Sequence, residues 1–211
     1  MKRGIGLVVD WETSGLRDHT VPHLTYLEGP QGIEIGATLV YMPEFEVIGE
    51  FTSRIRFLGL HEGISYGGPT HEKLSWSTEA EAIHGIKIAD LLAAPTPAEV
   101  SEKFIKFVKL NARIDDPHKT PVMFCGHNPD GDHYMTRQML FLGGAENGLR
   151  FHYRQIDSFS LGYFVFGTKS SNELFERTSG VVRKIHTALE DSRLTTVALR
   201  TIYKLCQGIR T

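Results

Sequence analysis

The first strand-like segment of the chain ends in two carboxylates. Residues Gly4-Ile5-Gly6-Leu7-Val8-Val9 form an apolar run that is followed by Asp10, Trp11 and Glu12. Such a run is typical of a buried β-strand, in which side chains alternate between faces, so Asp10 and Glu12 leave the strand on the same side. Two carboxylates in one small space repel each other unless a cation lies between them, and their oxygens suit Mg²⁺ or Mn²⁺. The alternative is a pair of solvated acids, because a D-x-E triplet is common by chance.

The composition limits the kinds of protein that this chain can be. Its 211 residues, with 41% hydrophobic and 23% charged residues, are typical of one globular domain with a sizeable core. The net charge of -2 argues against a protein that coats long duplexes, because that mode of binding needs many phosphate contacts. No apolar run approaches the length of a membrane span, and Cys125 and Cys206 are expected to be buried free thiols in a reducing compartment. We therefore expect a cytoplasmic protein with no membrane partner.

The pattern after the first strand predicts a mixed sheet. Residues 33–42 and 46–57 are β-rich runs, which predict an antiparallel hairpin beside the first strand. A helix that begins at Pro97 and a strand over residues 120–125 then predict a parallel crossover. Residues 17–32 have no periodicity and are interpreted as a long loop.

The next segments predict a helix, a fifth strand and a loop. Asn128 followed by Pro129 is typical of a helix start, with Asn128 as the cap, and this start puts Asp132 in the first turn. Residues 153–157 predict a short strand, and a further helix follows it. Residues 169–179 are polar and are interpreted as a loop.

A capping box marks the start of the last helix. Thr187 is followed three residues later by Glu190, which predicts a helix over about residues 188–207. His186 then lies on the loop before the helix, while Asp191 lies in its first turn and can point toward the same space. A histidine beside a fixed carboxylate is a suitable pair of proton acceptor and metal ligand.

The chain thus offers four acids, each at a strand end or a helix start, and one histidine. They are Asp10, Glu12, Asp132, Asp191 and His186. Such ends meet at the carboxyl edge of an α/β sheet, where ligands bind. Helix capping and dipole compensation explain Asp132 or Asp191 singly, and an ordinary surface loop explains His186. These explanations do not account for all five positions together.

Three motifs follow one another over nearly the whole chain. They are Val9-Asp10-Trp11-Glu12-Thr13-Ser14-Gly15-Leu16, then Gly126-His127-Asn128 with Asp132 four residues further on, and then His186-Thr187-Ala188-Leu189-Glu190-Asp191. Together they resemble the motifs of the DnaQ-like (DEDDh) 3′-to-5′ exonucleases, a ribonuclease H-like family. Secondary matches are Ile33-Glu34-Ile35-Gly36-Ala37, Ile83-His84-Gly85-Ile86 and Ile156-Asp157-Ser158. Two departures are Gly131, where the family usually has a bulky apolar residue, and Asp130, an additional carboxylate.

The resemblance implies an α/β fold of the ribonuclease H-like kind, with a mixed five-stranded sheet whose first three strands are antiparallel and whose faces are flanked by helices. It implies a single 3′-5′ exonuclease domain over residues 1–211, which hydrolyses single-stranded DNA or RNA from the 3′ end to nucleoside 5′-monophosphates. Two ions, Mg²⁺ or Mn²⁺, are expected on Asp10, Glu12 and Asp191, with Asp10 bridging them. Asp132 is expected to act directly or through water, and His186 is expected to be the general base.

The resemblance also implies substrate contacts and partners. Thr13 and Leu16 are expected to position the terminal nucleotide, and His84 and Asn128 are further candidates for substrate binding. The expected partner is a single-stranded 3′ end. Two alternatives keep the same fold: a proofreading subunit bound to a polymerase, and a non-catalytic nucleic-acid-binding scaffold. A homodimer is also left open.

Overall fold

The structure is a computed structural model that describes residues 3–15, 26–61, 64–65, 71, 73–116, 119–183 and 186–208. Its strands are β1 (Gly4–Thr13), β2 (Gly29–Pro30), β3 (Gly32–Met42), β4 (Glu46–Arg54), β5 (Leu60–His61), β6 (Ile64–Ser65), β7 (Leu74–Ser75), β8 (Val122–Gly126) and β9 (Phe151–Asp157). Its helices are α1 (Thr78–His84), α2 (Pro97–Ala112), α3 (Asp130–Leu142), α4 (Ser158–Phe166), α5 (Ser171–Ser179) and α6 (Ala188–Gly208), with a 3₁₀ helix at Ile88–Leu91. Most of the predicted loop over residues 17–32 lies outside the described residues, but its end contributes β2 and the start of β3.

Five strands form one mixed sheet in the order β4-β3-β1-β8-β9. The strand β3 is antiparallel to both of its neighbours, β1 and β4, whereas β8 is parallel to both β1 and β9. This topology confirms the predicted mixed five-stranded sheet, in which the first three long strands are antiparallel. The central strand is β1, so the acids at its end lie between the antiparallel and the parallel half of the sheet.

The two faces of β1 are covered by different helices. Leu7 and Val9 belong to the largest core cluster, together with Phe104 of α2 and residues of α3. Val8 points to the other face, where it clusters with Leu199 of α6. Alternation along the strand therefore puts the two acids of β1 on the face that α6 covers.

Helix α6 begins directly above Gly36 of β3. A Cβ atom at this position would lie 2.0 Å from the carbonyl carbon of Ala188 and 2.2 Å from its carbonyl oxygen. One turn further along, the hydroxyl of Ser192 lies 3.0 Å from the hydroxyl of Thr38 on β3. The first turn of α6 is therefore fixed on the sheet beside the acidic end of β1, and the contact requires a residue without a side chain.

The start of helix α3 differs from the prediction. The helix begins at Asp130, and Asn128 is not its cap. Asn128 has a φ of 58°, whereas a capping residue is normally extended, and its backbone N–H donates to Oδ1 of Asp157 at 2.9 Å. Asp132 nevertheless lies in the first turn, as predicted.

The prediction of a polar loop over residues 169–179 is wrong, because α5 occupies most of this segment. The hydroxyl of Ser170 accepts a hydrogen bond from the N–H of Glu173 and caps the helix. Leu174 and Phe175 are fully buried in a cluster with α6. Two adjacent apolar residues in a polar segment are a weak signal, although they are enough to dock a helix of this length.

Several element boundaries move by a few residues. β4 ends at Arg54 instead of residue 57, and β9 begins at Phe151 instead of residue 153. The cap of α6 is as predicted, since the hydroxyl of Thr187 accepts the N–H of Glu190 at 3.4 Å.

Of the two cysteines, Cys125 is buried, but Cys206 is exposed, so the expectation of a buried thiol is wrong for Cys206. Its helix is exposed from residue 204 onward, which explains the difference. Among the described residues, no helix combines the length and the apolar character that crossing a bilayer requires.

The close approach at Gly36 gives a stability test. Gly36→Ala should lower the free energy of unfolding by at least about 2 kcal/mol, because the added methyl meets backbone and not a flexible side chain. Gly131→Ala is the matched control: its Cβ meets nothing within 4 Å, and alanine in place of glycine in a helix should raise stability by about 0.5 to 1 kcal/mol. Urea denaturation of both variants measures these changes, and equal stability of the two variants would contradict the seating of α6 on β3.

Candidate active site

The first two acids come from the end of β1. In the β1–β3 ladder, Asp10 pairs with Gly36 and Glu12 pairs with Glu34. Directly opposed residues share a face of the sheet, so Glu34 lies beside Glu12, and its Oε1 accepts the backbone N–H of Ala188 at 3.4 Å. Glu12 is only 9% exposed. Glu12 is therefore not the solvated acid that a chance triplet would give, and Asp10 is half-buried.

The third acid, Asp191, comes from the first turn of α6. Its backbone N–H donates to the carbonyl oxygen of Thr187 at 3.0 Å, and its side chain is almost completely buried. Asp10, Glu12 and Asp191 can each offer one carboxylate oxygen such that the three oxygens lie within 4.8 Å of one another. The structure thus brings together three of the four predicted acids in one tight group.

The fourth acid, Asp132, reaches the site from α3, on the opposite face of the sheet. Its carboxylate accepts the backbone N–H of Trp11, and its backbone carbonyl accepts the hydroxyl of Thr136 at 2.8 Å. The indole N–H of Trp11 donates to the same hydroxyl at 3.0 Å. Trp11 therefore anchors the first turn of α3 to β1. Asp132 is not part of the tight group, but its charge is, after burial, the largest cause of the raised pKa of Asp10.

His186 lies on the loop before α6, as predicted, and its side chain is 36% exposed. Its Nδ1 is 3.4 Å from Oδ2 of Asp191. The same oxygen accepts a hydrogen bond from Nη1 of Arg183. The other oxygen of Asp191, Oδ1, is buried and has no hydrogen-bond partner among the described residues. One oxygen of this carboxylate thus accepts a hydrogen bond from Arg183, and the other is available to a ligand.

Burial and crowding raise the pKa values of the acids. Burial contributes most to raising the pKa of Asp10 well above its usual range, followed by the charges of Asp132, Asp191 and Glu12. Burial also raises the pKa of Asp132, against the hydrogen bond from the backbone of β1. The pKa of Glu12 rises from 4.5 to about 7 through burial first and then through Asp191 and Glu34. A site that disfavours its own charged form has a strong electrostatic reason to bind a cation.

The donor set fits a hard divalent ion. Mg²⁺ and Mn²⁺ prefer oxygen ligands, and the site offers carboxylates from two elements with an unpartnered, buried oxygen on Asp191. Asp10, Glu12 and Asp191 could hold an ion together, with Asp132 next to them. Their roles as ligands stay predictions.

Two predicted substrate contacts meet at the end of β1. The hydroxyl of Thr13 donates to the carbonyl of Gly15 at 2.7 Å. His84 accepts the N–H of Ile86 on Nδ1, so its proton is on Nε2, which lies 3.2 Å from the carbonyl oxygen of Thr13. Both nitrogens of His84 are thus used within the protein, and burial lowers its pKa. Its role toward substrate stays a prediction.

The other two predicted contacts have less structural support. Asn128 is exposed at the end of β8, where its backbone bonds to Asp157, and the neighbouring His127 lies 3.0 Å from the hydroxyl of Ser158 through Nδ1. These bonds tie the loop after β8 to the start of α4. Leu16 lies outside the described residues.

Two charged residues of the site, Glu34 and Arg183, have no role that the sequence motifs predict. Glu34 belongs to a secondary motif but received no role, although its register opposite Glu12 places it in the site. Arg183 belongs to no motif, and only its position three residues before His186 could have drawn attention to it.

No protein-family model matches the sequence, and no curated protein matches it. Solved structures do match. The nuclease domain of 3′hExo, a DEDDh family member bound to rAMP, has a TM-score of 0.60 and 16% identity over 98% of this chain and 94% of that chain. A 3′-exonuclease that recognises the histone mRNA stem-loop has a TM-score of 0.61 and 15% identity over 98% of this chain. The fold is that of 3′-exonucleases.

The likeness extends to a larger enzyme. E. coli exonuclease I in complex with a 5cy-dT13 oligonucleotide has a TM-score of 0.62 and 16% identity over 99% of this chain. This chain spans 42% of that protein and 66% of the stem-loop exonuclease chain. The exonuclease fold confirms the predicted α/β architecture. At these identities it establishes the fold alone.

The raised pKa of Glu12 predicts how the free energy of unfolding of this protein depends on pH. Between pH 4.5 and about 7 the folded protein holds a proton that the unfolded chain has lost, so stability decreases as pH rises through this window. In EDTA, Glu12 alone should lower the free energy of unfolding by up to about 3 kcal/mol between pH 5 and pH 8, and Glu12→Gln should remove this part of the slope.

Glu102→Gln is the control for this experiment, because Glu102 is an exposed acid of α2. It should leave the slope unchanged. Denaturation at pH 5, 6, 7 and 8 measures the three proteins. A wild-type stability that rises over this range would contradict the crowding of the acids.

Proposed function

We propose that this chain is a 3′-exonuclease of the DEDDh type. The observation that carries the proposal is the convergence of acids from β1 and α6, with Asp132 of α3 beside them and His186 against the carboxylate of Asp191. Four acids and one histidine in this order are what the family motifs imply. The fold that the chain shares with 3′-exonuclease structures supports the proposal.

The proposed substrate is the 3′ end of single-stranded DNA or RNA, and the products are nucleoside 5′-monophosphates. One similar structure contains rAMP and another contains an oligonucleotide, and these ligands of other proteins support the choice. We propose that residues 1–211 act as a single exonuclease domain. A cytoplasmic location, a polymerase partner and a homodimer stay predictions.

The acids would hold two divalent ions, Mg²⁺ or Mn²⁺. Asp10, Glu12 and Asp191 would hold the ions, and Asp132 would contribute directly or through water. When bound, the ions supply the positive charge that activates water and stabilises the transition state of phosphodiester hydrolysis. The chain would fix the position of that charge, because the acids lie on a strand and two helices.

His186 would accept the proton of the attacking water. The contact of its Nδ1 with Asp191 would orient the ring and leave Nε2 as the accepting atom, and its side chain is 36% exposed, which would give it access to solvent. Thr13 and Leu16 would position the terminal nucleotide. His84 would support them through its bond to the backbone of Thr13, and Asn128 would contact the strand from the end of β8.

Incubation with 3′- and 5′-labelled DNA and RNA oligomers of graded length tests the proposal. With Mg²⁺ or Mn²⁺ we expect monophosphates to be released from the 3′ end, and EDTA should abolish the activity. Asp10→Asn should reduce turnover at least about 10³-fold while the fold is retained, because the change removes ligand charge but little volume. Glu102→Gln should behave as wild type.

Three outcomes would contradict the proposal. Cleavage of a closed circle would exclude an exonuclease that requires a 3′ end. Tight binding of oligomers without hydrolysis under all metal conditions would favour the scaffold alternative. Full activity in Asp10→Asn would remove the acids from the mechanism.

His186→Ala tests the general base. It should lower turnover by about 10²- to 10⁴-fold and leave Mn²⁺ binding nearly unchanged, because a positioned base contributes this much and the histidine is not a ligand. His152→Ala is the control, since His152 lies near the start of β9, at the opposite end of the sheet. Single-turnover rates at saturating Mn²⁺ measure the effect, and an unchanged rate in His186→Ala would overturn the base assignment.

A further inference from the structure

Arg183 is a buried cation beside the acid group. Its side chain is 6% exposed, and it lies on the segment between α5 and α6. A buried charge is costly unless it is paired and hydrogen-bonded, so this arginine needs a reason to be where it is.

The guanidinium of Arg183 is held from α5. Its Nη2 donates to the hydroxyl of Ser171 at 2.9 Å, and its Nε donates to Oδ1 of Asn172 at 3.1 Å. Its central carbon lies 5.3 Å from the ring centre of Phe175. These contacts leave Nη1 to donate to Oδ2 of Asp191, with which it forms a buried ion pair. The charge therefore has a fixed position.

The charge of Arg183 reaches beyond its direct partner. Burial and the neighbouring acids raise the pKa values of Asp10 and Glu12, and the arginine opposes both rises. It occupies one oxygen of Asp191 and leaves the other, Oδ1, buried and without a hydrogen-bond partner in the described parts of the chain.

We propose that Arg183 is the fixed counter-ion and positioning residue of the acid site. Its positive charge holds the acids together when no metal is bound. Its guanidinium group also fixes Asp191 through one carboxylate oxygen and leaves the other oxygen free for a metal. The inference rests on the proposed function for its link to turnover, but its electrostatic part concerns the acids and the metal alone.

A fixed cation next to a metal site has a consequence for binding. Removing the charge should destabilise the metal-free protein, in which the acids then lose their buried counter-ion, more than the metal-loaded protein. By linkage, the variant must then bind the metal more tightly than wild type by the same factor. A residue that only supported the fold would lower the stability of both states equally.

Arg183→Met tests this coupling, with Mn²⁺ alone as the probe. Calorimetric titration should give Mn²⁺ binding about 5- to 50-fold tighter than in wild type. Relative to wild type, Arg183→Met should lose less melting temperature in saturating Mn²⁺ than in EDTA. Arg193→Met is the matched control, because Arg193 is an exposed arginine of α6 that pairs with Glu50 on β4, and it should change neither quantity.

A second variant is needed in case Arg183→Met does not fold. If Arg183→Met folds only with Mn²⁺, that supports the inference. If it does not fold at all, the double variant Arg183→Met/Asp191→Asn decides, because removing both charges should restore a folded protein. Failure of the double variant to fold would overturn the inference. Weaker or absent Mn²⁺ binding in Arg183→Met, or equal destabilisation with and without Mn²⁺, would also overturn it.

The positioning part is tested by Asn172→Ala, which keeps the charge but removes one anchor of the guanidinium group. It should lower turnover about 5- to 20-fold with little change in Mn²⁺ affinity, as expected for a loosened Asp191.

If wild type degrades no oligomer but the metal coupling of Arg183→Met is present, the proposed function fails and the counter-ion stands. If hydrolysis occurs without that coupling, the counter-ion fails and the proposed function stands.

Discussion

The mutual repulsion of four carboxylates at one edge of the sheet is the constraint on which the rest of the structure depends. Asp10, Glu12 and Asp191 offer oxygens within 4.8 Å of one another, and Asp132 adds its charge from α3. Burial strengthens this repulsion, because little water is left to screen it. The acids can be this close only if protons, a protein cation or a bound metal offsets their charge.

The fold meets this constraint with rigid supports. The acids of β1 stand on the central strand of the sheet, and Trp11 between them bonds to Asp132 in the first turn of α3 and to Thr136 in the second. Helix α6 is seated over Gly36, where no side chain could fit. The seat of α6 on Gly36 and the bond of the Trp11 indole to Thr136 do not use the carboxylates, so they hold the elements that carry the acids whatever the charge of the site.

Local sequence signals predicted the parts of the site that are set locally. The two-residue period of β1 predicted that Asp10 and Glu12 share a face, and the Thr187 cap predicted a loop histidine beside a helical acid. The predictions failed where distant contacts decide. Helix α5 has a polar sequence and is stabilised by two residues that dock on α6. Asn128 has a left-handed backbone, and its N–H donates to Asp157, which is 29 residues away in sequence. Arg183 has no local signal, since its anchors are supplied by α5.

The parts of the acid site are made at different times. A ribosome synthesises β1 first, then the rest of the sheet with α3, and only afterwards the segment with Arg183 and Asp191. Until α6 reaches its seat at Gly36, the acids of β1 lack both their third neighbour and their counter-ion. The order of synthesis alone therefore prevents an unfinished chain from assembling this site, even when its sheet is already folded.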